Sequence, residues 1–368
     1  MKDGRMAAIV LAAGYSSRMN SFKPFLEFGG HTAVETVVNT FKVTGIEEVV
    51  VVAGHRGSEV ADKLKGSGVV CTWNKNYSQG MYSSVLKGIE ALDDSVGAFF
   101  IIPVDIPLVK KHTLELMKRK YIESGKGILY PVYCGKRGHP PLIDIKYRQA
   151  ILDSSGEGGL ERILLSFSED SMNVPVFDAA VIMDMDKKED YDALLSYYLM
   201  GAPNRDECSA ILKAYYAPES IIKHCSEVAR VSRDILKSLK GYGCALDAAV
   251  LEAAALLHDI AKGQKDHAVK GAVILEEIGY ERVGYIISTH MDLDVDEDGS
   301  ITENEVLYLA DKLVNGDRIM PLKERRTRYL EAYCGNLEAL DRINKRFDAA
   351  EKVVKKIERI TGRGFVYG

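Results

Sequence analysis

Residues 9–23 read IVLAAGYSSRMNSFK and place a short apolar strand directly before a turn of small residues and a polar loop. A turn of alanine and glycine has little side-chain bulk, so backbone N–H groups can approach an anion closely. The stretch therefore predicts a nucleotide-binding loop, although it has neither the P-loop nor the G-x-G-x-x-G spacing. An ordinary strand-to-helix turn with two solvated cations would have the same residues. The predicted binding residues, which include two cations that would neutralise a triphosphate, are Leu11, Ala12, Ala13, Gly14, Arg18 and Lys23.

The composition limits the classes of protein to consider. A chain of 368 residues is long for one hydrophobic core, and two or three domains are expected at about 150 residues each. The net charge of -5 argues against a nucleic-acid partner. No apolar run reaches the ~18 residues of a membrane span, so we expect no membrane partner and a cytoplasmic location. The six cysteines contain no C-x-x-C pair, which favours neither a disulfide framework nor a zinc site.

Apolar strand candidates and helical patterns alternate over the first 200 residues. Continuous apolar runs, such as EEVVVVAG at 47–54 and AFFIIPVD at 98–105, are typical of strands that are buried on both faces. We therefore expect an α/β domain at residues 1–200, with a doubly wound, mostly parallel sheet whose ligands bind at the carboxyl ends of the strands. The predicted strands lie at 7–11, 48–53, 69–73, 98–104, 128–132 and 181–185.

Three aspartates in this half are candidates for a metal site. Asp105 follows the apolar run IIPV, so it lies at the carboxyl end of a predicted strand. Asp184 and Asp186 are two residues apart and point to the same side if their segment is extended. Carboxylates in such positions can hold Mg2+ against nucleotide phosphates. Asp184 and Asp186 would equally suit the capping of the next helix.

Six motifs follow one another between Met6 and Leu199: LAAGYSSRM with Lys23, NYSQGMYSSVLKG, VDIPL, GHPPLI, GEGGLERIL and DMDKKEDY. This order resembles that of the MobA-like nucleotidyltransferases, and especially of the molybdenum cofactor cytidylyltransferases. The resemblance implies a nucleotidyltransferase-type fold that transfers a nucleotidyl group from an NTP to a phosphorylated acceptor such as molybdopterin, with release of pyrophosphate. It also allows a molybdoenzyme or a second copy of the chain as a partner.

The resemblance assigns roles to individual residues. Arg18 and Lys23 would act on the triphosphate as catalytic cations, and Asp105 with Asp186 would hold Mg2+. The residues implied near the base or the acceptor are Gly80, Ser83 and Ser84.

Two further positions bear on the substrates that the resemblance implies. Ala13 stands where GTP-using relatives have glycine, which favours CTP. Ile106 replaces a glutamine that is common in the cytidylyltransferases, so a sugar phosphate or polyol phosphate is an alternative acceptor.

Strand signals nearly vanish beyond the stretch GAPNRDEC at 201–208, where helical periodicity takes over. We expect an all-α domain at residues 201–368. Several histidines and aspartates of this half fall on apolar helix faces. A single histidine there is usually a core residue with satisfied hydrogen bonds, but several buried polar groups without partners would each cost about 1–3 kcal/mol. A metal centre would remove that cost. The candidate ligands are His224, His258, Asp259, His267, His290 and Asp311.

The segments EAAALLHDIAKG and YLADKLVNGDR, with this order of ligands, resemble the HD-domain phosphohydrolases, and especially their dinuclear YqeK-type branch. The resemblance implies one or two transition-metal ions, which the mixed ligands allow to be Fe, Mn, Co, Ni or Zn. It makes Asp259 a catalytic residue. Lys262, one turn later, would contact substrate phosphate or remain a solvated lysine at a helix end.

The acidic segment at 294–305 fits the spacing of an EF-hand loop and predicts a Ca2+ site. A solvated acidic loop is the alternative. The predicted calcium ligands are Asp294, Asp296, Asp298, Ser300, Thr302 and Glu305.

The sequence thus predicts a bifunctional enzyme, with a nucleotidyltransferase followed by a metal-dependent phosphohydrolase. The competing hypothesis is a sugar-phosphate or polyol-phosphate nucleotidyltransferase whose second half senses a nucleotide or Ca2+ and has no hydrolytic activity.

Overall fold

The computed structural model describes residues 5–19 and 21–365, so that Asn20 and both termini lie outside the described residues. The chain divides into two units, Met1–Leu199 and Met200–Gly368. No helix within the described ranges is long and apolar enough to cross a bilayer.

The N-terminal unit contains five of the six predicted strands, together with strands that were not predicted. In chain order they are β1 Arg5–Ala12, β2 Glu27–Phe28, β3 His31–Thr32, β4 Glu48–Ala53, β5 Val70–Trp73, β6 Val96–Pro103, β7 Ile128–Tyr133, β8 Lys136–Arg137, β9 Leu142–Asp144 and β10 Ser171–Pro175. Eight of these form one sheet in the order β10-β7-β9-β6-β1-β4-β5, with β8 paired to β7. The pairs of β1 with β4 and β6, of β4 with β5 and of β7 with β10 are parallel, whereas β9 is antiparallel to both neighbours. The predicted mostly parallel sheet is confirmed.

The sheet is buried on both faces, as its apolar runs predict. In β1, Ala8 and Val10 belong to one hydrophobic cluster, while Ala7 and Ile9 belong to a second cluster. Successive strand residues point to opposite faces, so each cluster lies on its own side of the sheet. Helices cover these faces: α1 Ala33–Val43, α2 Gly57–Lys63, α3 Met81–Glu90, α4 Lys111–Ser124, α5 Arg148–Leu152, α6 Gly159–Leu165 and α7 Lys188–Met200.

The strand predicted at 181–185 is wrong. A short 3-10 helix, Ala179–Ile182, lies there instead. Its cause is Asp178, a buried carboxylate that accepts the Ala180 N–H at 3.1 Å and the Lys110 N–H at 2.8 Å. These bonds turn the chain before a further strand can form. Asp184 and Asp186 therefore follow this 3-10 helix and belong to no strand.

The C-terminal unit is helical, as predicted, apart from one short hairpin among its described residues. The helices are α8 Arg205–Ala214, α9 Glu219–Ser238, α10 Ala248–Leu257, α11 His267–Glu277, α12 Glu281–Ser288, α13 Glu303–Leu313, α14 Leu322–Ala332 and α15 Leu337–Thr361. The hairpin consists of β11 Val314–Asn315 and β12 Arg318–Ile319. Helix α10 is buried along nearly its whole length, which explains its continuous apolar sequence and places it at the centre of this unit.

Candidate active sites

A cavity of about 330 Å³ lies at the carboxyl ends of β1 and β6 in the N-terminal unit. These strands are parallel neighbours, so the loops that follow them reach the same edge of the sheet. The lining residues that the sequence singled out are Leu11, Ala12, Ala13, Gly14, Lys23, Gly80, Ser84, Asp105 and Asp186. Arg18, Ser83 and Asp184 are not among the lining residues, and Asp184 is exposed. Sequence reasoning assigned no role to Ser16, Pro24, Tyr77, Met81, Pro103 and Val104, which complete the lining.

Lys23 joins two carboxylates at this cavity. Its Nζ lies 3.0 Å from Asp105 Oδ2 and 2.8 Å from Asp186 Oδ1, and Arg18 Nη1 lies 3.1 Å from the other Asp186 oxygen. Burial by itself would lower the pKa of Lys23, but the two carboxylates outweigh it and raise that pKa. Lys23, followed by Arg18, lowers the pKa of Asp186. The Asp186 side chain therefore faces the cations, whereas Asp190 accepts the N–H groups that precede α7.

Asn74 is a residue that sequence reasoning missed. It is buried, and its Nδ2 donates to Ser83 Oγ at 2.8 Å and to Ser84 Oγ at 2.9 Å. Ser83 also donates to the carbonyl of Gly80 at 2.8 Å. These bonds hold the first turn of α3 beside the cavity, so that Ser84 lines it while Ser83 is a structural part of the turn.

In the C-terminal unit, the six predicted ligands converge on one buried point. His224 Nε2 lies 3.2 Å from Asp311 Oδ1 and 3.8 Å from Asp259 Oδ2, and His258 Nε2 lies 3.6 Å from the same Asp259 oxygen. On the other side, His267 Nε2 and His290 Nε2 lie 3.2 Å and 3.4 Å from Asp259 Oδ1. Asp259 thus presents one oxygen to each of two ligand groups, which are His224–His258–Asp259 and Asp259–His267–His290.

Backbone carbonyls fix the protonation of three of these imidazoles. The Nδ1 atoms of His224, His258 and His290 lie 2.8, 2.9 and 2.6 Å from the carbonyl oxygens of Gly316, Ala255 and Ile287. A carbonyl oxygen only accepts, so Nδ1 carries a proton and Nε2 is the ring nitrogen that faces the centre. Metal-binding histidines in proteins have this arrangement.

The residues fit a metal centre. His258 Nε2 is buried and has no hydrogen-bond partner among the described residues, a costly state that a bound cation would relieve. Asp259 Oδ2 also lacks a hydrogen bond within that part of the chain, although the Lys262 ammonium lies 3.0 Å away as its charge partner. Burial lowers the pKa of His258 to about 4 and so keeps its imidazole neutral at neutral pH. Burial alone would raise the pKa of Asp259, but the surrounding histidines and Lys262 outweigh it and lower that pKa. Neutral imidazole and ionised carboxylate are the forms that bind metal ions.

Two family models match the chain: a MobA-like NTP transferase domain over residues 8–171 and an HD domain over residues 221–316. The chain joins a MobA-like NTP transferase domain to an HD domain. Both domain resemblances noted in the sequence are confirmed. The first identifies the N-terminal unit as a nucleotidyltransferase domain, and the second is consistent with the use of divalent metal ions.

Relatives of known identity match the NTP transferase domain. The molybdenum cofactor cytidylyltransferase of Escherichia coli (strain K12) is 24% identical over 184 residues, which are 50% of this chain and 92% of that protein. The bifunctional IPC transferase and DIPP synthase of Rubrobacter xylanophilus is 37% identical over 120 residues, which are 31% of this chain and only 26% of that protein. Among solved structures, a nucleotidyl transferase from Methanothermobacter has a TM-score of 0.46 and 23% identity, covering 53% of this chain and 98% of that chain.

The Ca2+ site in the acidic loop inside the HD domain stays a prediction. No three of the carboxylates of Asp294, Asp296, Asp298 and Glu305 meet within 4.8 Å in the described part of the chain. The reason is Lys356 of α15, whose buried Nζ lies 2.7 and 3.0 Å from the two Glu305 carboxylate oxygens and donates to the Asp296 carbonyl at 2.7 Å. A lysine ammonium therefore takes the cation position at the last ligand of the loop.

Thr302 and Glu305 have a second, simpler role in the HD domain. The Thr302 N–H donates to Glu305 Oε2 at 2.9 Å, and the Glu305 N–H donates to Thr302 Oγ1 at 3.3 Å. This capping box begins α13, the helix that carries Asp311. The T-x-x-E spacing at 302–305 was the signal in the sequence that would have found it.

Proposed function

We propose that the N-terminal domain transfers a nucleotidyl group from an NTP, with CTP as the preferred nucleotide, to a phosphorylated acceptor such as molybdopterin. The observation that supports it is the Lys23 ammonium between Asp105 and Asp186, beside the small-residue turn at 12–14. The Escherichia coli relative named molybdenum cofactor cytidylyltransferase, which matches over 92% of its length, supports the choice of nucleotide and acceptor. The match with the bifunctional IPC transferase and DIPP synthase keeps a polyol phosphate as the second candidate acceptor.

Attack of a phosphate oxygen on the α-phosphorus requires alignment and charge neutralisation more than covalent catalysis. The backbone N–H groups of the turn at 12–14 would bind phosphate oxygens, because no bulky side chain stands in front of them. Lys23 and Arg18 would neutralise the triphosphate. Asp105 and Asp186 offer the hard oxygen ligands that Mg2+ prefers, and the bound ion would stabilise charge on the phosphates.

The Asp105→Asn variant tests this proposal. We expect it to abolish pyrophosphate release from CTP and acceptor, since a neutral amide neither holds Mg2+ nor orients Lys23, while the melting temperature stays close to that of the wild type. The measurement is pyrophosphate release with each of the four NTPs and with molybdopterin or polyol phosphates. Asp94→Asn, which changes an exposed aspartate, is the matched control. If the wild type released pyrophosphate from another NTP and not from CTP, the choice of CTP would be wrong. If Asp105→Asn released pyrophosphate as the wild type does, the proposed site would be wrong.

For the HD domain, we propose hydrolysis of a phosphate ester or nucleotide at a centre of two metal ions. The geometry of Asp259, with one oxygen toward each ligand group, supports this proposal. His224, His258, Asp259 and Asp311 would hold the first ion, and Asp259, His267 and His290 the second. When bound, the ions would supply Lewis-acid activation of water and phosphate. Lys262, whose Nζ is 3.0 Å from Asp259 Oδ2, would turn toward substrate phosphate.

Metal stoichiometry distinguishes the two ligand groups. We expect about two equivalents of Fe, Mn, Co, Ni or Zn in the wild type after anaerobic reconstitution, and about one in His267→Ala. Asp259→Ala should lose both, because it removes the carboxylate that the groups share, and should lose phosphohydrolase activity. His31→Ala, at an exposed position of the N-terminal domain, is the control. Less than half an equivalent in the wild type would contradict the centre, and two equivalents in Asp259→Ala would contradict the place of Asp259 in both ligand groups.

A further inference from the structure

The HD centre opens into a cavity of about 390 Å³, which is within the range of about 300–1,000 Å³ typical of pockets for small organic ligands. Asp259 and Asp311 are among its lining residues. Helices α14 and α15, which lie beyond the residues matched by the HD family, 221–316, contribute a further part of the lining. A phosphate group is much smaller than this cavity, so room remains for an organic group that is attached to it.

The part of the lining on α14 and α15 is aromatic. The rings of Tyr329 and Phe347 have their centroids 6.2 Å apart with an interplanar angle of 48°. Phe347 is buried, Tyr329 is half-buried, and Ile343 lies beside them in the lining. Such a wall excludes water and offers ring faces and edges to a flat partner, which aromatic side chains contact favourably.

Arg325 lies between this wall and the metal ligands. Arg325 is buried, and one of its guanidinium nitrogens donates to the backbone carbonyl of Asp311. The Nε of Arg325 has no hydrogen-bond partner among the described residues, although it is buried. Its guanidinium carbon lies 5.6 Å from the centroid of the Tyr329 ring. A buried cation with an unused donor, in the lining of a cavity that leads to a metal centre, is suited to binding an oxyanion.

We infer that α14 and α15 select the substrate of the HD centre, which is a phosphate ester with a flat, aromatic organic group. In this inference, which rests on the proposed phosphohydrolase function, Arg325 binds an oxygen of the phosphate and Tyr329 with Phe347 contacts the aromatic group. The residues act on binding and not on the chemical step, so they determine specificity and are not catalytic.

Two phosphonates test the inference through binding alone, because their C–P bond is not hydrolysed. They are compared at a pH above the second pKa of both, so that each is a dianion. We expect the full chain, reconstituted with the metal ion that it retains best, to bind phenylphosphonate at least tenfold more tightly than methylphosphonate in isothermal titration calorimetry. Tyr329→Leu should reduce this preference by about twofold to tenfold and leave methylphosphonate binding unchanged. Tyr333→Leu alters an exposed tyrosine just after the same helix and should keep the full preference.

Arg325→Met should weaken both phosphonates alike, by about tenfold to a hundredfold. Arg328→Met removes an exposed arginine of the same helix and should have no effect. Arg325→Lys, which keeps the charge and a donor, should restore part of the affinity. Metal content and melting temperature are measured for every variant. A general loss of folding would lower both of these, whereas loss of the binding contact would leave them unchanged.

The outcomes separate this inference from the proposed function. Equal affinity of the wild type for the two phosphonates, or an unchanged preference in Tyr329→Leu, would overturn the aromatic wall. A metal-loaded protein that hydrolyses phosphate esters without preferring aromatic ones would also overturn it and leave the phosphohydrolase intact. If the protein clearly preferred phenylphosphonate but hydrolysed no phosphate ester, the proposed phosphohydrolase function would be wrong and the inferred binding pocket would stand.

Discussion

Asp259 shows how one side chain can organise a site. It directly follows His258 at the end of the apolar helix α10, so its position is determined by the helix that lies at the centre of the domain. Its two oxygens face different histidine groups, and the carboxylate is almost completely buried. Burial of a carboxylate without partners would be costly, so the histidines on both sides and the Lys262 ammonium stabilise the buried Asp259 charge.

Asp170 gives a residue-scale prediction of pH dependence. Its Oδ2 accepts from Lys146 Nζ at 2.6 Å and from the Tyr147 hydroxyl at 2.5 Å, which connects β10 to the segment after β9. Burial would raise the pKa of Asp170, but these two partners outweigh it and lower that pKa to about 2. A carboxylate whose pKa is lower in the folded state stabilises the protein above its unfolded pKa of 3.8, and that stability is lost as the pH falls toward 2.

We therefore expect Asp170→Asn to be less stable than the wild type at pH 7, by on the order of 1–2 kcal/mol after solvent screening. The difference should shrink below pH 3.8 and vanish only below pH 2, where the folded carboxyl is protonated as well. Urea unfolding at a series of pH values measures it. Glu169→Gln, at the exposed neighbouring position, should follow the wild type at all pH values. A difference that does not shrink between pH 3.8 and pH 2 would show that the loss has a cause other than the charge.

At the scale of secondary-structure elements, helix α15 contributes a cation to the interior of the HD domain. Lys356 pairs with Glu305, and their side chains are only 1% and 4% exposed. Breaking a buried pair by removing one partner leaves the other charge uncompensated, which costs about 3–5 kcal/mol. We expect Lys356→Met to lower the free energy of unfolding by about 3 kcal/mol, as measured in urea, and Lys355→Met on the exposed face to have little effect.

The double variant Glu305→Gln with Lys356→Met should recover part of this loss, because no charge then remains buried. Millimolar Ca2+ should not raise the melting temperature of the wild type, since the ammonium already pairs with the Glu305 carboxylate. A rise of several degrees would show that Ca2+ displaces Lys356.

At the scale of the whole molecule, each unit has a hydrophobic core of its own. Helix α7 ends at Met200 and α8 begins at Arg205, with Asn204 as its N-cap, so that only 201–204 separate them. We expect fragments 1–200 and 201–368 to fold separately, because their cores are complete. Fragment 201–368 should retain the metal stoichiometry of the full chain, and fragment 1–200 should retain pyrophosphate release. Circular dichroism melting of each fragment, with a cut inside α10 as the negative control, measures this. A fragment that melts without a cooperative transition would contradict it.

Features that depend only on residues close together in the sequence could be predicted from it. The continuous apolar runs of β1, β4 and β6 indicated strands buried on both faces, and the position of Asp105 after β6 indicated a site at the strand ends. Likewise, the placement of His224, His258 and His290 on apolar helix faces indicated a buried polar centre. The failure at 181–185 arose because the buried Asp178, rather than the apolar residues after it, decided the local backbone.

The sequence by itself therefore determined the two kinds of fold, most of the order of their elements and the six candidate ligands that meet in the HD domain, because hydrophobic periodicity and ligand spacing are local properties. Only the tertiary structure decided that Lys23 lies between Asp105 and Asp186, that Lys356 pairs with Glu305, and that α14 and α15 line the metal cavity. The residues of the Glu305–Lys356 pair are 51 positions apart, and nothing in their neighbouring residues specifies the partner. Such pairs depend on which helix faces pack together, and that choice follows from the burial of the whole core.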